Sequence, residues 1–286
     1  MQKIQRLSEL RQQILAFRRA DEQIALVPTM GNLHQGHLKL VSEARRLADR
    51  VVTTVFVNPT QFGPGEDYAS YPRTPEADIA SLIEAGADVV FIPEVDEVYP
   101  RGLGSLTSVE VPGLSDELCG AFRPGHFRGV ATVVLKLFNM VAADVAVFGE
   151  KDYQQLTVIR QMVQDLNLPL TIHGVATVRE SDGLAMSSRN SYLSADERGK
   201  AALLYAVLQS SAEALKQGGH SISAVEAQAS KTLELQGFTV DYVSVRRVID
   251  LAVPGPSDDA SALMVLVAAR LGKTRLIDNL RVSASA

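Results

Sequence analysis

The sequence is short of cysteine, of net charge and of long apolar runs, and each shortage removes a class of function. Its single cysteine, Cys119, has no second thiol to pair with, so the fold needs neither an internal disulfide nor an oxidising compartment. Nothing in the residues around it suggests a nucleophile. Basic residues are not in excess: 28 Lys and Arg stand against 33 Asp and Glu, a formal net charge of -5, which argues against broad nucleic-acid binding. The pairs Arg45-Arg46 and Arg246-Arg247 are too short to be basic tracts and read as solvated faces. No apolar run approaches the roughly 20 residues of a membrane span. The first residues lead into an amphipathic helix with Leu7, Leu10, Ile14 and Leu15 on one face, not into the apolar core of a signal peptide. The expectation is a cytoplasmic protein with neither a membrane nor a nucleic acid as partner. No internal repeat, low-complexity tract or HExxH pattern occurs.

What remains is an ordinary globular composition, 46% hydrophobic and 21% charged over 286 residues, enough for one large or two medium domains. Apolar runs at about 24–29, 50–57, 88–92, 144–148 and 170–176 alternate with helical patterns. That alternation predicts a five-stranded parallel sheet with covering helices. Thr74-Pro75-Glu76 starts one of these helices, and Gly86 stops it. Between 94 and 125 the pattern breaks into Pro, Gly and Ser punctuation, with one strand expected at 106–111, as an excursion over the site or toward a second subunit. After residue 180 the grammar changes to helices at about 196–217 and 222–235 and strands at 238–247, 262–269 and 274–281. The last two flank Gly272-Lys273 as an antiparallel hairpin. The expected architecture is α/β, a Rossmann-like N-terminal domain over residues 1–178 and a smaller α+β C-terminal domain over 179–286.

The richest stretch is Pro28-Thr29-Met30-Gly31-Asn32-Leu33-His34-Gln35-Gly36-His37, which joins a strand end, a glycine turn and two histidines at a helix start. Amides of such a turn and the positive end of the helix dipole favour an anion. Gly31 suits an unusual backbone angle and Gly36 a close backbone approach. A single histidine here would read as a cap; two flanking a glycine point to function. Zinc is the rival, since His34 and His37 lie three apart on one helix face, but zinc normally recruits a third ligand. Parallel sheets bind ligands beyond the carboxyl ends of their strands, and those ends are polar. The second carries Asn58 and Gln61, neutral amides suited to orienting a polar substrate, with Asn-Pro turn chemistry as the rival. The fourth carries Gly149, Glu150, Lys151, Asp152 and Gln155. The fifth leads through Val178 to Met186, Ser187, Ser188 and Arg189, hydroxyl and guanidinium donors suited to phosphate, with a helix-capping loop as the rival. Phe122-Arg123-Pro124-Gly125-His126 fits anion binding and capping equally.

His34-Gln35-Gly36-His37 resembles the HIGH-type motif, and Met186-Ser187-Ser188-Arg189 the KMSKS-type loop, of the nucleotidyltransferase superfamily that includes class I aminoacyl-tRNA synthetases. Together with Pro28-Thr29-Met30-Gly31, Asn58-Pro59-Thr60-Gln61-Phe62, Arg123-Pro124-Gly125-His126-Phe127 and Gly149-Glu150-Lys151-Asp152, these motifs resemble the pantothenate synthetase family in order and over nearly the whole chain. The resemblance implies an ATP-dependent ligase that joins pantoate to β-alanine through a pantoyl-adenylate, with magnesium carried on the ATP phosphates. It implies an ATP site of Met30, Gly31, Asn32, Leu33, His34, Gln35, Gly36, His37, Gly149, Glu150, Lys151, Asp152, Val178, Met186, Ser187, Ser188 and Arg189. His37, His34 and Lys151 would stabilise charge, and Gln61, Gln155 and Asn58 would meet pantoate, with Gln61 also meeting β-alanine. A homodimer follows from the same resemblance, and the C-terminal domain is expected to act as a lid, because the Ser187-Ser188-Arg189 clamp sits just past the domain junction and closure would protect a hydrolysable adenylate. The alternatives are another nucleotidyltransferase of the superfamily and a nonenzymatic ATP-binding sensor.

Overall fold

The parallel sheet has six strands where the alternation predicts five. In the computed structural model, which describes residues 1–282, the chain runs β1 (Gln2–Ile4), α1 (Leu7–Arg19), β2 (Ile24–Thr29), α2 (Gln35–Leu47), β3 (Arg50–Val55), α3 (Pro75–Glu84), β4 (Val89–Phe91), α4 (Val95–Val98), α5 (Cys119–Phe122), α6 (His126–Val141), β5 (Val145–Gly149), α7 (Tyr153–Asp165) and β6 (Thr171–Val175). It continues with α8 (Ala195–Ala201), α9 (Leu203–Gln217), α10 (Ile222–Leu235), β7 (Phe238–Arg247), β8 (Leu263–Leu271) and β9 (Thr274–Arg281). The sheet order is β1-β4-β3-β2-β5-β6, and its strand pairings among the described residues are parallel. The added strand, β1, pairs Gln2 with Val89 through Ile4 with Phe91. Only Ile4 of its three residues is buried, so it leaves no apolar run to read. No helix among the described residues is long and apolar enough to cross a membrane.

The chain forms two compact units. The first is Met1–Glu150 with Val158–Ala176; the second is Lys151–Thr157 with residues 177–282. In the first, Ala25, Val27, Val51, Val90, Val145 and Val147 of the strands close a core with Leu40, Val41 and Ala44 of α2 and Leu82 of α3. On α1 the buried stripe is Leu10, Ile14 and Phe17, while Leu15 is 56% exposed. The expected face is corrected here, because Leu15 lies about 100° around the helix from Ile14. In the second unit β7, β8 and β9 form an antiparallel sheet packed on α9 and α10. Its core contains Leu204, Leu208, Leu233, Val245, Val265 and Val267. The hairpin appears as expected, with Leu271 opposite Thr274 across Gly272 and Lys273.

Two local expectations fail for identifiable reasons. Residues 106–111 are not a strand. The amide of Val109 donates to the Thr132 hydroxyl at 2.9 Å, so a side chain of α6 takes the bond that a ladder would use. The helix expected over 196–217 is two helices that meet at Ala202, where Tyr205 N donates to Ala202 O in a tighter i to i+3 bond.

The topological switch falls between β2 and β5, since the chain moves to one side of β2 through β3 and β4 and then to the other through β5 and β6. Beside it, α6 packs on a single 3-10 turn, Pro59–Gln61. Gly129 makes that approach possible: a Cβ there would stand 2.2 Å from the Thr60 carbonyl oxygen and 2.8 Å from Gln61 Cα. Alanine is the better helix former by about 0.8–1.0 kcal/mol, yet Gly129→Ala forces two backbones apart at a cost of about 1–3 kcal/mol. We expect a melting temperature lowered by several degrees in calorimetry; an unchanged or raised value would show that the turn yields freely.

Candidate active site

The turn after β2 is built around a buried carboxylate. The Thr29 hydroxyl donates to Thr54 O at 2.7 Å and accepts from Gly31 N at 3.3 Å. Gly31 has φ +82°, the left-handed angle expected of it, and Asn32 follows at φ +49°. Asn32 N and Leu33 N then donate to Asp78 Oδ2 and Oδ1 at 2.9 and 2.8 Å. Asp78, on α3, is 2% exposed, and the Thr74 hydroxyl also donates to its Oδ1, at 3.1 Å. This corrects the sequence reading. These two amides already hold the protein's own carboxylate, and beside the turn stand side chains with donors and acceptors of their own.

Those side chains are the two histidines. His34 is the N-cap of α2, and its Nδ1 accepts from Gly36 N at 3.1 Å. His37, in the first helical turn, has its Nδ1 accepting from His34 N at 3.3 Å. The result is a reciprocal capping box with the ring centroids 4.1 Å apart. An imidazole nitrogen that accepts from an amide carries no proton, so each neutral ring holds its proton on Nε2. Helix capping, one of the two readings the sequence leaves open, is thus served by the Nδ1 edges of both rings. Both Nδ1 atoms are committed, and among the described residues no group of three His, Cys, Asp or Glu side chains is arranged to hold a metal.

Gln61 is held from several directions. Asn58 is 1% exposed. Its Nδ2 donates to Gln61 Oε1 at 3.0 Å and to Gly129 O at 3.3 Å. Its Oδ1 accepts from Tyr99 OH at 2.7 Å and from the Thr60 hydroxyl at 3.0 Å. Asn58 therefore orients Gln61 and has its polar atoms occupied by protein, a different role from the substrate contact expected of it. With Oε1 fixed by Asn58, Gln61 turns its Nε2 toward Met30 Sδ, 3.0 Å away. The Gln61 carbonyl takes the Nδ1 proton of His126 at 2.7 Å and Arg123 Nη2 at 3.3 Å. Arg123 also grips Glu66 with two bonds of 2.7 and 2.6 Å. Burial pushes the Glu66 carboxyl up, but this guanidinium outweighs it and holds the group below its ordinary value. Arg123 and His126 thus hold Gln61 and Glu66 and do not cap the start of α6, whose N-cap is Gly125, at φ +79° and without a side-chain bond; Arg123 is instead the C-cap of α5.

The remaining strand-end residues divide between the units. Gly149 and Glu150 close β5 in the first unit. Lys151, Asp152 and Gln155 belong with the second, tied there by Asn279 Nδ2 donating to Lys151 O at 2.9 Å and Tyr153 OH donating to Val248 O at 3.1 Å. The Lys151 ammonium lies 3.7 Å from Asp152 Oδ2 with its side chain 18% exposed. Gln155 is half-buried in the first turn of α7. Val178 and Met186 face each other across a short antiparallel contact, Met186 N donating to Val178 O at 3.0 Å. Ser187 caps the next 3-10 turn, Ser188–Tyr192, by accepting from Arg189 N at 3.3 Å. Asn190 donates to Ala185 O at 3.1 Å, and its Oδ1 is buried with no hydrogen-bond partner in the protein.

Residues 2–281 match the model of the pantoate-beta-alanine ligase family. The chain belongs to that family. It is 58% identical over 276 residues to a pantothenate synthetase of Methylococcus capsulatus, covering 96% of both chains, and 57% identical over 275 residues to one from Shewanella amazonensis. A crystal structure of pantothenate synthetase from Thermus thermophilus superposes with a TM-score of 0.91 at 48% identity, covering 99% of each chain. A Francisella tularensis pantoate-beta-alanine ligase, solved with beta-gamma ATP and beta-alanine, superposes at 0.82 with 30% identity. The protein is accordingly a ligase that condenses pantoate with β-alanine in pantothenate biosynthesis.

Two groups that hold these residues escape the motif reading. Asp78 is distant from its turn in sequence, and Thr74-Pro75-Glu76 reads only as a helix start. Glu66 sits among loop residues. Asp78→Asn replaces an acceptor with a donor facing two amides, which leaves a buried amide unsatisfied at about 1–3 kcal/mol. We expect a lower melting temperature and a weaker affinity for ATP, measured by calorimetry on the folded variant. Wild-type values for both would remove Asp78 from the account.

Proposed function

We propose that the ligase works in two steps on a bound nucleotide. In the first, the pantoate carboxylate attacks the α-phosphorus of ATP, the bond to the bridging oxygen breaks, and pyrophosphate leaves. In the second, the β-alanine amine attacks the acyl carbon of the pantoyl-adenylate, AMP departs and the amine loses a proton. The observation that carries this reading is the histidine pair, two rings whose Nδ1 atoms are committed to the helix start, so that Nε2 is the protonated edge. Fixed donors of this kind stabilise charge that builds on phosphate oxygens without reorganising. His37 and His34 would serve the phosphates with Lys151, Ser187, Ser188 and Arg189. The turn of Met30, Gly31, Asn32, Leu33, Gln35 and Gly36, together with Gly149, Glu150, Asp152, Val178 and Met186, would shape the rest of the nucleotide site.

Gln61 and Gln155 would hold pantoate, Gln61 also meeting β-alanine, with Asn58 acting through Gln61. The second step is then mainly positioning, where fixed orientation replaces a bimolecular encounter. Magnesium fits as a companion of the triphosphate: the donors assembled here are imidazole, ammonium, hydroxyl and guanidinium, which suit anions, so the metal would ride on ATP oxygens. When bound there it neutralises phosphate charge. The Francisella relative's complex with beta-gamma ATP and beta-alanine supports both ligands.

The test is release of AMP and pyrophosphate with pantoate and β-alanine supplied singly and together, reading pantothenate by mass spectrometry. We expect stoichiometric AMP and pantothenate only with both acids, and kcat lowered about 100-fold or more in folded His37→Ala, the scale of losing one fixed charge-stabilising donor. Near-normal turnover in that variant would defeat the role of His37. AMP formed with a different acid would point to another nucleotidyltransferase, and ATP binding without AMP to a sensor.

A further inference from the structure

A cluster in the second unit joins two segments given above as nucleotide ligands. Arg179 directly follows Val178. Its Nη1 and Nη2 donate to Asp278 Oδ2 and Oδ1 at 2.6 and 3.0 Å, and further to Gly183 O at 3.1 Å and Asn279 O at 3.3 Å. The guanidinium carbon lies 3.7 Å from the centroid of the Tyr205 ring. Asp278 has only 2% of its side chain exposed, and its Oδ1 also accepts from Asn279 N at 2.8 Å. From there the Asn279 side chain reaches Lys151 O at 2.9 Å. A continuous line of bonds therefore runs from Val178's neighbour, through a buried carboxylate on β9, to the backbone of Lys151.

The rest of the clamp hangs on the same line. Glu180 N donates to Leu184 O at 2.8 Å, and Arg179 pairs with Ala185, which makes residues 178–186 a tight hairpin. Gly183 closes it at φ +94°, where a Cβ would lie 2.6 Å from the Tyr205 ring. The turn Ser188–Tyr192 packs on β9 itself, and Asn190 ties it to Ala185 O. Arg179 is not available as a phosphate ligand, because a buried carboxylate already spans its fork. A buried ion pair adds little stability over well-packed apolar residues of the same size; a bidentate fork does fix direction.

We propose that Arg179, Asp278 and Asn279 are positioning residues that lock Lys151 and the Val178, Met186, Ser187, Ser188 and Arg189 segment into one frame, so that their donors meet the ATP triphosphate as a preformed set. This rests on the reading of those residues as nucleotide ligands. The test is steady-state kinetics and ATP-pyrophosphate exchange on the full chain for Asn279→Ala, Arg179→Lys, Asp278→Asn and Lys151→Ala, with melting temperatures alongside. For Asn279→Ala and Arg179→Lys we expect kcat/KM for ATP to fall about 10- to 100-fold, mostly in KM, with KM for pantoate and β-alanine near wild type. Asp278→Glu, which keeps the charge, should recover more activity than Asp278→Asn. If Asp278→Asn does not fold, the two milder variants still decide the matter. Should Lys151→Ala impair ATP use while folded Asn279→Ala and Arg179→Lys match wild type, or should all three KM values shift together, the frame is refuted. Should Lys151→Ala itself leave exchange unchanged, the nucleotide assignment fails instead.

Discussion

The site in the first unit depends on one buried carboxylate. Asp78 accepts the amides of Asn32 and Leu33 and the hydroxyl of Thr74, and so fixes a turn that otherwise needs two consecutive left-handed residues. A left-handed non-glycine residue such as Asn32 is strained unless its surroundings hold it. Once the turn is fixed, α2 starts at a defined point and its first orphan amides are met by His34 and His37. The carboxylate also changes what the turn is for. Two of the turn's amides are already satisfied by it, and the side chains set beside them are the paired imidazoles.

The same division between holding and contacting recurs elsewhere. In the first unit Asn58, Tyr99, Arg123 and His126 spend their polar atoms on orienting Gln61, while Gly129 lets α6 approach closely enough for it. In the second, Asp278 and Arg179 neutralise each other beneath the hairpin that leads to Ser187 and Ser188. Gln61 in particular is immobilised by groups that hold it. That arrangement suits a reaction that depends on orientation.

The groups proposed to contact substrate stand in motifs that the sequence shows, and the groups that hold them do not. His34, His37 and Gln61 follow strands of the parallel sheet in motifs of recognisable order, and Lys151 and Ser187 to Arg189 lie in motifs of the same kind. Asp78, Glu66 and Asp278 act on residues remote in sequence, and a lone acidic residue on a helix, loop or strand reads as a solvated surface group. Among the elements, the long strands and amphipathic helices followed their periodicity. β1 did not, since two of its three residues are exposed and its place is set by pairing to β4. The stretch 106–111 has the composition of a strand, but α6 captures the backbone of Val109.

The most direct test of the account is the tautomer of the two histidines, read by long-range proton-nitrogen NMR correlation on imidazole-labelled protein at neutral pH. The account predicts that His34 and His37 are neutral rings protonated at Nε2, with Nδ1 resonating as an acceptor, and that the Nε2 proton signals shift when ATP is added. Rings protonated at Nδ1, or signals that ignore the nucleotide, would contradict it.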